Sequence, residues 1–226
     1  MYLAIIPARS GSKRIKNKNI KLFFGLPVIK YSIDAALSTK LFKEIIVSTD
    51  SKKIRKIAIK HGASVPFLRD KNLADDFTPI KNVLLHTLKK IKKSILPDYF
   101  CLIYATAPLI NKNDIVKSLH ILRKIKNKSD GICSVCKYKL PIQRALKINT
   151  KNFLEFIEKR YALTRSQDLH EAYYDAGTFS WYNTKNFLNK NGLNLKILPY
   201  VLSSTKVQDI DDIKDWNLAK KKFLKK

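Results

Sequence analysis

Cysteine is scarce in this chain, and long apolar runs are absent. Three cysteines, Cys101, Cys133 and Cys136, occur among 226 residues, and so small an odd number argues against a disulfide framework. No stretch approaches the roughly 20 apolar residues of a membrane helix, and no basic segment followed by an apolar one suggests a secretory signal. We therefore expect a cytoplasmic protein that does not bind membranes.

The sequence also gives no sign of a zinc site. Cys133 and Cys136 form a C-x-x-C pair, but they lie in a run, Gly131–Cys136, that is typical of a β-strand. Side chains three positions apart on a strand point to opposite faces, and no second cysteine or histidine pair lies nearby in the sequence. We predict that these thiols are buried and structural.

Acidic residues are few compared with basic ones. The chain has 18 Asp and Glu against 45 Lys and Arg, a net charge of +27, which leaves a basic nucleic-acid-binding module as an alternative function. However, only eight of the basic residues are arginine, and the lysines are spread over nearly every predicted helix. We interpret them as a preference for lysine at solvent-facing positions that also attracts anionic substrates, and we expect no nucleic-acid partner.

Strand and helix patterns alternate along most of the chain. This alternation predicts an α/β fold in which helices cover both faces of a mainly parallel sheet. Asp50 is expected to cap the helix that follows it, and Val65–Leu68 to be short and extended. The predicted strands are Tyr2–Ile6, Glu44–Ser48, Tyr99–Tyr104, Gly131–Cys136, Thr178–Tyr182 and Lys196–Pro199, and the predicted helices are Pro27–Leu37, Ser51–His61, Pro79–Lys92, Asn111–Lys124, Thr184–Asn189 and one from about Ile213.

The alternation breaks between residues 137 and 175. This segment contains two short extended pieces, Ala145–Ile148 and Phe153–Ile157, and a polar stretch, Leu163–Glu171. Few of its residues could form a core alone. We therefore expect a single domain, residues 1–226, with an insertion at 137–175 that completes its packing on another subunit.

The turn after the first strand has the features of an anion-binding loop. It combines one glycine, two serines and three cations, and Lys16 and Lys18 follow closely. Small residues and backbone amides at the carboxyl end of a strand bind phosphate groups. The common phosphate loop, G-x-x-x-x-G-K-[ST], is absent, which points away from phosphoryl-transferring ATPases. The stretch reads Ile6-Pro7-Ala8-Arg9-Ser10-Gly11-Ser12-Lys13-Arg14.

A pair of carboxylates lies near the end of the chain. Asp209 and Asp211 are two positions apart, so in an extended segment they project to the same side. Two converging carboxylates suit Mg²⁺, which leaves its other positions to phosphate and water. The alternative is a helix cap, in which Asp211 or Asp212 begins the last helix, and both interpretations hold together if Asp212 alone is the cap.

Taken together, these motifs resemble the acylneuraminate cytidylyltransferases, also called CMP-sialic acid synthetases. The resemblance covers nearly the whole chain. One branch, the pseudaminic acid cytidylyltransferases, which activate a bacterial nine-carbon sugar acid for flagellin and surface glycans, is the most similar. The family motifs are the first loop with Lys18-Asn19, Val47-Ser48-Thr49-Asp50, Arg69, Thr106-Ala107-Pro108 and Asp209-Ile210-Asp211; those of the branch are Pro141-Ile142-Gln143-Arg144-Ala145-Leu146, Thr164-Arg165-Ser166-Gln167-Asp168-Leu169, Tyr174-Asp175-Ala176-Gly177 and Trp181.

The resemblance implies a Rossmann-like, three-layer α/β/α nucleotidyltransferase fold and a homodimer in which the insertion reaches across subunits. The implied substrates are CTP and a nonulosonic acid, with Mg²⁺ on Asp209 and Asp211. The resemblance implies catalytic roles for Arg9, Lys13, Lys18, Asp209 and Asp211. The implied nucleotide contacts are Ala8, Arg9, Ser10, Gly11, Ser12, Lys13, Asn19, Arg69 and Tyr104, and the implied sugar contacts are Gln143, Arg144, Arg165, Gln167, Asp168 and Asp175.

Two departures from the family pattern concern the nucleotide site. Sialic-acid members usually have glutamine where this chain has Tyr104, and the first loop often has glycine in place of Ser10. Sialic or legionaminic acid remains an alternative substrate. A 3-deoxy-manno-octulosonate cytidylyltransferase is less favoured, because its loop usually ends in Leu-Pro-Gly-Lys-Pro where this chain has Ile15-Lys16-Asn17-Lys18-Asn19. A degenerate, inactive homologue is disfavoured by the intact Asp209 and Asp211 pair.

The implied reaction is attack of the anomeric hydroxyl of the sugar acid on the α-phosphorus of CTP, with pyrophosphate as leaving group. No histidine is placed in the sequence as a general base, because all four lie in predicted helices or in the insertion. Our hypothesis is that the metal lowers the pKa of the attacking hydroxyl.

Overall fold

Ten strands and six α-helices are seen in the computed structural model, which describes residues 1–91, 96–125 and 128–225. The strands are β1 Tyr2–Pro7, β2 Leu22–Phe23, β3 Leu26–Pro27, β4 Glu44–Ser48, β5 Tyr99–Ile103, β6 Gly131–Lys137, β7 Leu146–Ile148, β8 Leu154–Phe156, β9 Tyr173–Asn183 and β10 Ile197–Leu202. The helices are α1 Val28–Thr39, α2 Lys52–Lys60, α3 Ile80–Lys90, α4 Lys112–Lys124, α5 Thr184–Asn189 and α6 Ile213–Phe223.

The central sheet has six strands in the order β10-β6-β9-β5-β1-β4. β4, β1 and β5 run parallel, as do β10 and β6. β9 lies between β5 and β6 and is antiparallel to both. The prediction of a mainly parallel α/β sheet is therefore confirmed, with β9 as its one antiparallel strand in the described part of the chain.

Helices cover both faces of this sheet because successive strand residues point to opposite sides. On one face Ala4 and Ile6 of β1 pack with buried residues of α1, α2 and α4. On the other face Leu3 and Ile5 pack with Leu84 of α3 and with α5. This arrangement confirms the three-layer α/β/α fold.

α6 packs in a third, smaller cluster beside the sheet. Trp216 and Ala219 of α6 are buried against Phe23 and Val28, so the short β2–β3 hairpin, which the sequence did not predict, holds the C-terminal helix in place. Ile210 is buried in the same cluster. The segment that precedes α6 is thereby fixed next to the first loop of the chain.

Three local predictions need correction or a limit. Asp50 does not cap α2; the cap is Ser51, whose hydroxyl accepts from the Ile54 amide. Val65–Leu68, predicted to be short and extended, does not join a β-sheet, and the neighbouring Ser64 forms an isolated bridge to Ile46. The predicted end of α3 at Lys92 lies outside the described residues.

The insertion is built of short pieces, as predicted. β7 and β8 form a two-stranded antiparallel sheet, separate from the central one. All three residues of β7 are exposed, and Leu163 is 99% exposed. The described part of the insertion thus leaves much of its apolar surface uncovered.

The three cysteines are free, and Cys101 and Cys136 are buried, as predicted. Cys133 is partly buried, and burial raises the pKa of its thiol to about 11. Within the described residues, no helix combines the length and apolarity needed to span a membrane.

Candidate active site

A cavity of about 520 Å³ opens where β1, β4 and β5 end. The carboxyl ends of parallel strands are the usual place for a ligand in an α/β sheet. Polar and charged side chains dominate the wall on the side of the first loop. The lining residues are Pro7, Arg9, Ser12, Lys13, Arg14, Ile15, Lys18, Asn19, Arg69, Leu73, Asp75, Asp76, Thr78, Ile80, Val83, Tyr104, Ala105, Thr106 and Asp211.

The first loop divides into residues that face the cavity and residues that support it. Arg9, Ser12 and Lys13 line the cavity. Ala8 is buried, and its amide donates to the Ser48 carbonyl at 2.9 Å. Ala8, Ser10 and Gly11 are not among the lining residues, so the structure brings together only part of the predicted nucleotide set.

Ser10 is tied to the end of β4. Its amide donates to Asp50 Oδ1 at 2.9 Å, and its hydroxyl donates to the other carboxylate oxygen of Asp50. Asp50 therefore holds the first loop in place. This contact explains why Asp50 is not the cap of α2, a role that the next residue, Ser51, takes instead.

Asn19 and Arg69 fix the floor of the cavity. The Asn19 side-chain amide donates to the Arg9 carbonyl at 2.8 Å. Arg69 is only 5% exposed, and its guanidinium donates to the Ser48 hydroxyl at 3.2 Å, to the Ser48 carbonyl and to the Leu73 carbonyl at 3.4 Å. Burial lowers the pKa of Arg69 to about 10, Asp50 opposes this effect and Arg9 adds to it, so the side chain stays protonated at neutral pH.

The segment that carries Asp209 and Asp211 is held by the cap of α6. Asp212 Oδ1 accepts from the amides of Lys214 at 2.7 Å and Asp215 at 3.0 Å. In return, Asp215 accepts from the amides of Asp211 and Asp212. This reciprocal capping box decides between the two candidate caps, Asp211 and Asp212, in favour of Asp212, and it leaves the carboxylates of Asp209 and Asp211 for other contacts.

Two cations from the first part of the chain meet Asp211. Lys18 Nζ donates to the Ile210 carbonyl at 2.7 Å and lies 3.4 Å from Asp211 Oδ1. A guanidinium nitrogen of Arg14 lies 3.0 Å from the same oxygen. These contacts join segments almost 200 residues apart, so Asp211 and the cations of the first loop meet at one cavity, whereas Asp209 is not among the residues that line it.

Asp209 lies near the charged side chains of Asp211, Lys18 and Asp175. The residue is exposed, but partial burial of its carboxylate raises its pKa; the charge of Asp211 raises the pKa further, Lys18 opposes the effect, and Asp175 adds to it. Gly177 has a φ of +58°, and a Cβ atom at Gly177 would lie 3.3 Å from Asp209 Cγ. Only glycine adopts this backbone conformation readily and, because it has no Cβ atom, leaves space for the carboxylate of Asp209.

Tyr104 forms part of the cavity wall at the end of β5. Its amide donates to the Thr178 carbonyl at 2.9 Å, and its carbonyl accepts from the Ser32 hydroxyl at 2.7 Å. Burial raises the pKa of the Tyr104 phenol, and the charge of Asp175 raises it further. The phenol is therefore neutral at physiological pH and acts only as a hydrogen-bonding group.

The sequence reasoning missed Asp76. One guanidinium nitrogen of Arg9 lies 2.5 Å from Asp76 Oδ1, and Lys13 Nζ lies 2.7 Å from Asp76 Oδ2. Lys13 and Arg9 hold the pKa of Asp76 below its usual value. The only signal in the sequence was a pair of carboxylates, Asp75 and Asp76, in a loop that follows Arg69.

The predicted sugar-binding residues of the insertion lie apart from this cavity. None of them is among its lining residues. The Gln143 side-chain amide donates to the His170 carbonyl at 2.9 Å, Arg144 donates to the Ser166 hydroxyl at 3.3 Å, and Arg165 pairs with Asp168 at 2.8 Å. Gln167 lines a separate hollow beside them. Asp175 instead lies close enough to Asp209 to affect its pKa.

The donor set at Asp209 and Asp211 fits Mg²⁺. In the described ranges, no group of three or more His, Cys, Asp or Glu side chains is arranged to hold a metal ion, and the Asp211 carboxylate pairs with Arg14 and Lys18. Two carboxylates with phosphate and water are the usual surroundings of Mg²⁺. A cation there would offset the charge of Asp211, which adds to the effect of burial in raising the pKa of Asp209, and the missing Cβ of Gly177 leaves the carboxylate room.

The architecture is that of a known class of α/β fold. A solved structure of CMP:2-keto-3-deoxy-manno-octonic acid synthetase complexed with CTP matches 99% of this chain and 98% of that one, with a TM-score of 0.73 and 15% identity. At this identity the match shows the fold alone. It confirms the nucleotidyltransferase fold that the sequence predicted.

The sequence comparisons show the family. The chain matches the cytidylyltransferase family over residues 3–208. A pseudaminic acid cytidylyltransferase of Campylobacter jejuni is 40% identical over 96% of this chain and 94% of its own length. A CMP-N,N'-diacetyllegionaminic acid synthase of Legionella pneumophila is 32% identical over 97% of this chain and 94% of its own length. The chain belongs to the cytidylyltransferase family, and it is therefore a nucleotidyltransferase.

Proposed function

We propose that this chain is a cytoplasmic enzyme that condenses CTP with pseudaminic acid to give the CMP-sugar and pyrophosphate, for flagellin or surface glycan synthesis. The observation that carries the proposal is the convergence of Lys18 and Asp211 at a cavity lined by Arg9 and Lys13. The similarity to a pseudaminic acid cytidylyltransferase over nearly the full length of both chains supports this choice of sugar.

The cations of the first loop bind the triphosphate in this proposal. Arg9 and Lys13 neutralise the charge that develops as pyrophosphate leaves, and Ser12 adds a donor to the same wall. Each such preorganised contact contributes roughly 3 kcal/mol to the transition state. Lys18 lies next to Asp211 and contacts the reacting phosphate. Arg69 and Asn19 hold the floor rigid, and the phenol of Tyr104 donates a hydrogen bond within the site.

Asp209 and Asp211 are the residues that would hold Mg²⁺. When bound, the ion neutralises phosphate oxygens and lowers the pKa of the attacking hydroxyl. The cap of α6 fixes the backbone of Asp211 through Asp215, and Lys18 fixes the carbonyl of Ile210. Both contacts orient the carboxylate pair before the substrates arrive.

Release of pyrophosphate from CTP and Mg²⁺ tests the proposed substrate. Pseudaminic, legionaminic and sialic acids are supplied one at a time at equal concentration. We expect turnover with pseudaminic acid and far less with the other two. Turnover with sialic acid alone would show that the choice of sugar is wrong while the cytidylyltransferase reaction is right.

The uncovered insertion supports a homodimer as part of this proposal. Ile148, Phe153 and Leu154 of the β7–β8 hairpin are all more than 60% exposed, and exposed apolar surface of this kind is typical of an interface. The implied sugar contacts lie on the same insertion, apart from the cavity of their own chain. We propose that five residues of the insertion complete the cavity of the partner subunit: Gln143, Arg144, Arg165, Gln167 and Asp168. Asp175 instead contributes to the site of its own subunit.

Subunit complementation tests this arrangement. Asp209→Asn and Arg165→Met should each be nearly inactive alone. Mixed in equal amounts and allowed to exchange subunits, they should recover about a quarter of wild-type activity, because half of the dimers would carry one intact site. A mixture no more active than its two components would place Arg165 and Asp209 in the same subunit's site, or outside the sugar site altogether.

Gly177→Ala tests the space around Asp209. The new Cβ would lie 3.3 Å from Asp209 Cγ, so we expect the carboxylate to shift and turnover to fall about tenfold, with a loss of stability of about 1 kcal/mol from the positive φ. Gly25→Ala is a matched control, because Gly25 has a φ of +80° and nothing within 4 Å of its Cβ position. Equal turnover in both variants would contradict the role given to Gly177.

A further inference from the structure

The carboxylate of Asp76 pairs with Arg9 and Lys13. The proposed reaction requires these two cations to bind phosphate. The two carboxylate oxygens of Asp76 reach two different side chains of the first loop, Arg9 at 2.5 Å and Lys13 at 2.7 Å. A phosphate group between these side chains would make the same kind of contact, with one oxygen to each cation. The Asp76 carboxylate therefore pairs with the two cations that the proposed triphosphate has to contact.

The neighbouring carboxylate has a different role. Asp75 Oδ1 accepts from the amides of Phe77 at 3.0 Å and Thr78 at 2.6 Å. Asp75 thus holds the turn between Leu73 and α3 in shape. Among the contacts of the described residues, Asp76 pairs only with Arg9 and Lys13, so its carboxylate is not needed to hold the turn.

The ion pairs of Asp76 are of a kind that a polyanion can displace. The side chains of Arg9 and Asp76 are 31% and 27% exposed, and that of Lys13 is 81% exposed. Ion pairs with such access to water contribute little to stability. A triphosphate carries about four negative charges against the single charge of Asp76, so it competes well for the same two cations.

We propose that Asp76 is a placeholder for phosphate: in the free protein it occupies the cations that hold the triphosphate in the complex, and it thereby sets the affinity for CTP. This inference rests on the proposed function. In the free protein Asp76 keeps Arg9 and Lys13 in position and neutralises part of the positive cavity. On binding, it gives up both cations to the ligand, which makes its negative charge a direct competitor of phosphate.

Equilibrium binding to Asp76→Asn tests the proposal without any turnover. The probes are CTP, inorganic tripolyphosphate and CMP, each measured by calorimetry. We expect the dissociation constants of CTP and tripolyphosphate to fall about tenfold, or about 1.4 kcal/mol. CMP lacks the terminal phosphates, so its dissociation constant should change less than about threefold. Asp76→Ala also removes the carboxylate, so it should lower the dissociation constants of CTP and tripolyphosphate and leave that of CMP within about threefold.

Asp34→Asn is the matched control, since it makes the same change of charge on α1, and Asp34 is not among the residues that line the cavity. Its dissociation constants should stay within about threefold of wild type. Unchanged or weaker binding of tripolyphosphate to Asp76→Asn would overturn the proposal that Asp76 competes with phosphate. Wild-type protein that binds tripolyphosphate but not CTP would instead contradict the proposed function, and the tripolyphosphate series would still decide the role of Asp76.

Discussion

Asp209→Asn is expected to lower the turnover of CTP and pseudaminic acid by about 100- to 1,000-fold, the range seen when one electrostatic contact to a transition state is removed. Asparagine has almost the same shape but no charge, so it is a poor ligand for Mg²⁺. It also removes the repulsion from Asp211 that contributes to the raised pKa of Asp209. The fold should therefore survive, and stability should stay equal or increase slightly.

The measurement is the initial rate of pyrophosphate release at saturating substrate, together with thermal unfolding. Asp34→Asn is the control, because it makes the same change on α1, where the only ion pair of the carboxylate among the described residues is with Lys30, one helical turn away. The control should keep wild-type turnover. Turnover of Asp209→Asn within about threefold of wild type would contradict the role of the acidic pair.

Arg9→Met should reduce kcat/KM for CTP by about 100- to 1,000-fold, equivalent to roughly 3–4 kcal/mol of lost transition-state stabilisation. Methionine keeps much of the length of the side chain but loses the guanidinium that lines the cavity. The loss should appear in both KM and kcat, because the proposed contact holds the triphosphate and neutralises the leaving pyrophosphate.

Arg55→Met is the control for Arg9→Met, because Arg55 is exposed on α2 and is not among the residues that line the cavity. It should leave kcat/KM within about twofold of wild type. A decrease of less than about threefold in Arg9→Met would show that the cations of the first loop do not hold the reacting phosphates.

Much of the fold could be predicted because its strands are short, buried apolar runs. β1, β4 and β5 were each predicted to within one residue of their observed bounds. The length and direction of β9 could not be predicted in this way. Its first residues, from Tyr173, continue out of the insertion and pair with β6, and this pairing is a long-range contact that local periodicity does not report.

The candidate site follows from the same logic. The cationic loop could be placed at the edge of the sheet because it directly follows β1, whereas the Asp209–Asp211 segment could be placed beside it only because the motifs resemble a known family. The contact of Asp50 with Ser10 could not be foreseen. Asp50 and Ser51 are both good helix caps, and only a hydrogen bond from a residue 40 positions earlier decides between them.

Asp76 was missed for a related reason. A loop with two adjacent aspartates reads as a solvated turn, and one of them, Asp75, does hold a turn. The other is brought to Arg9 and Lys13 by the packing of α3 against the sheet. Ser10 and Ala8 are predicted nucleotide contacts because the motif includes them, and the structure adds that their hydrogen bonds anchor the loop to β4 and its adjoining turn.

The most direct test of the central claim is mass spectrometry of the products that the wild-type protein forms from CTP, Mg²⁺ and pseudaminic acid. We predict that CMP-pseudaminic acid and pyrophosphate accumulate in equal amounts and that neither forms when the sugar acid is left out. Unchanged CTP, or CTP broken down to CDP and phosphate without a sugar adduct, would contradict the claim that this cavity joins the α-phosphate of CTP to a sugar acid.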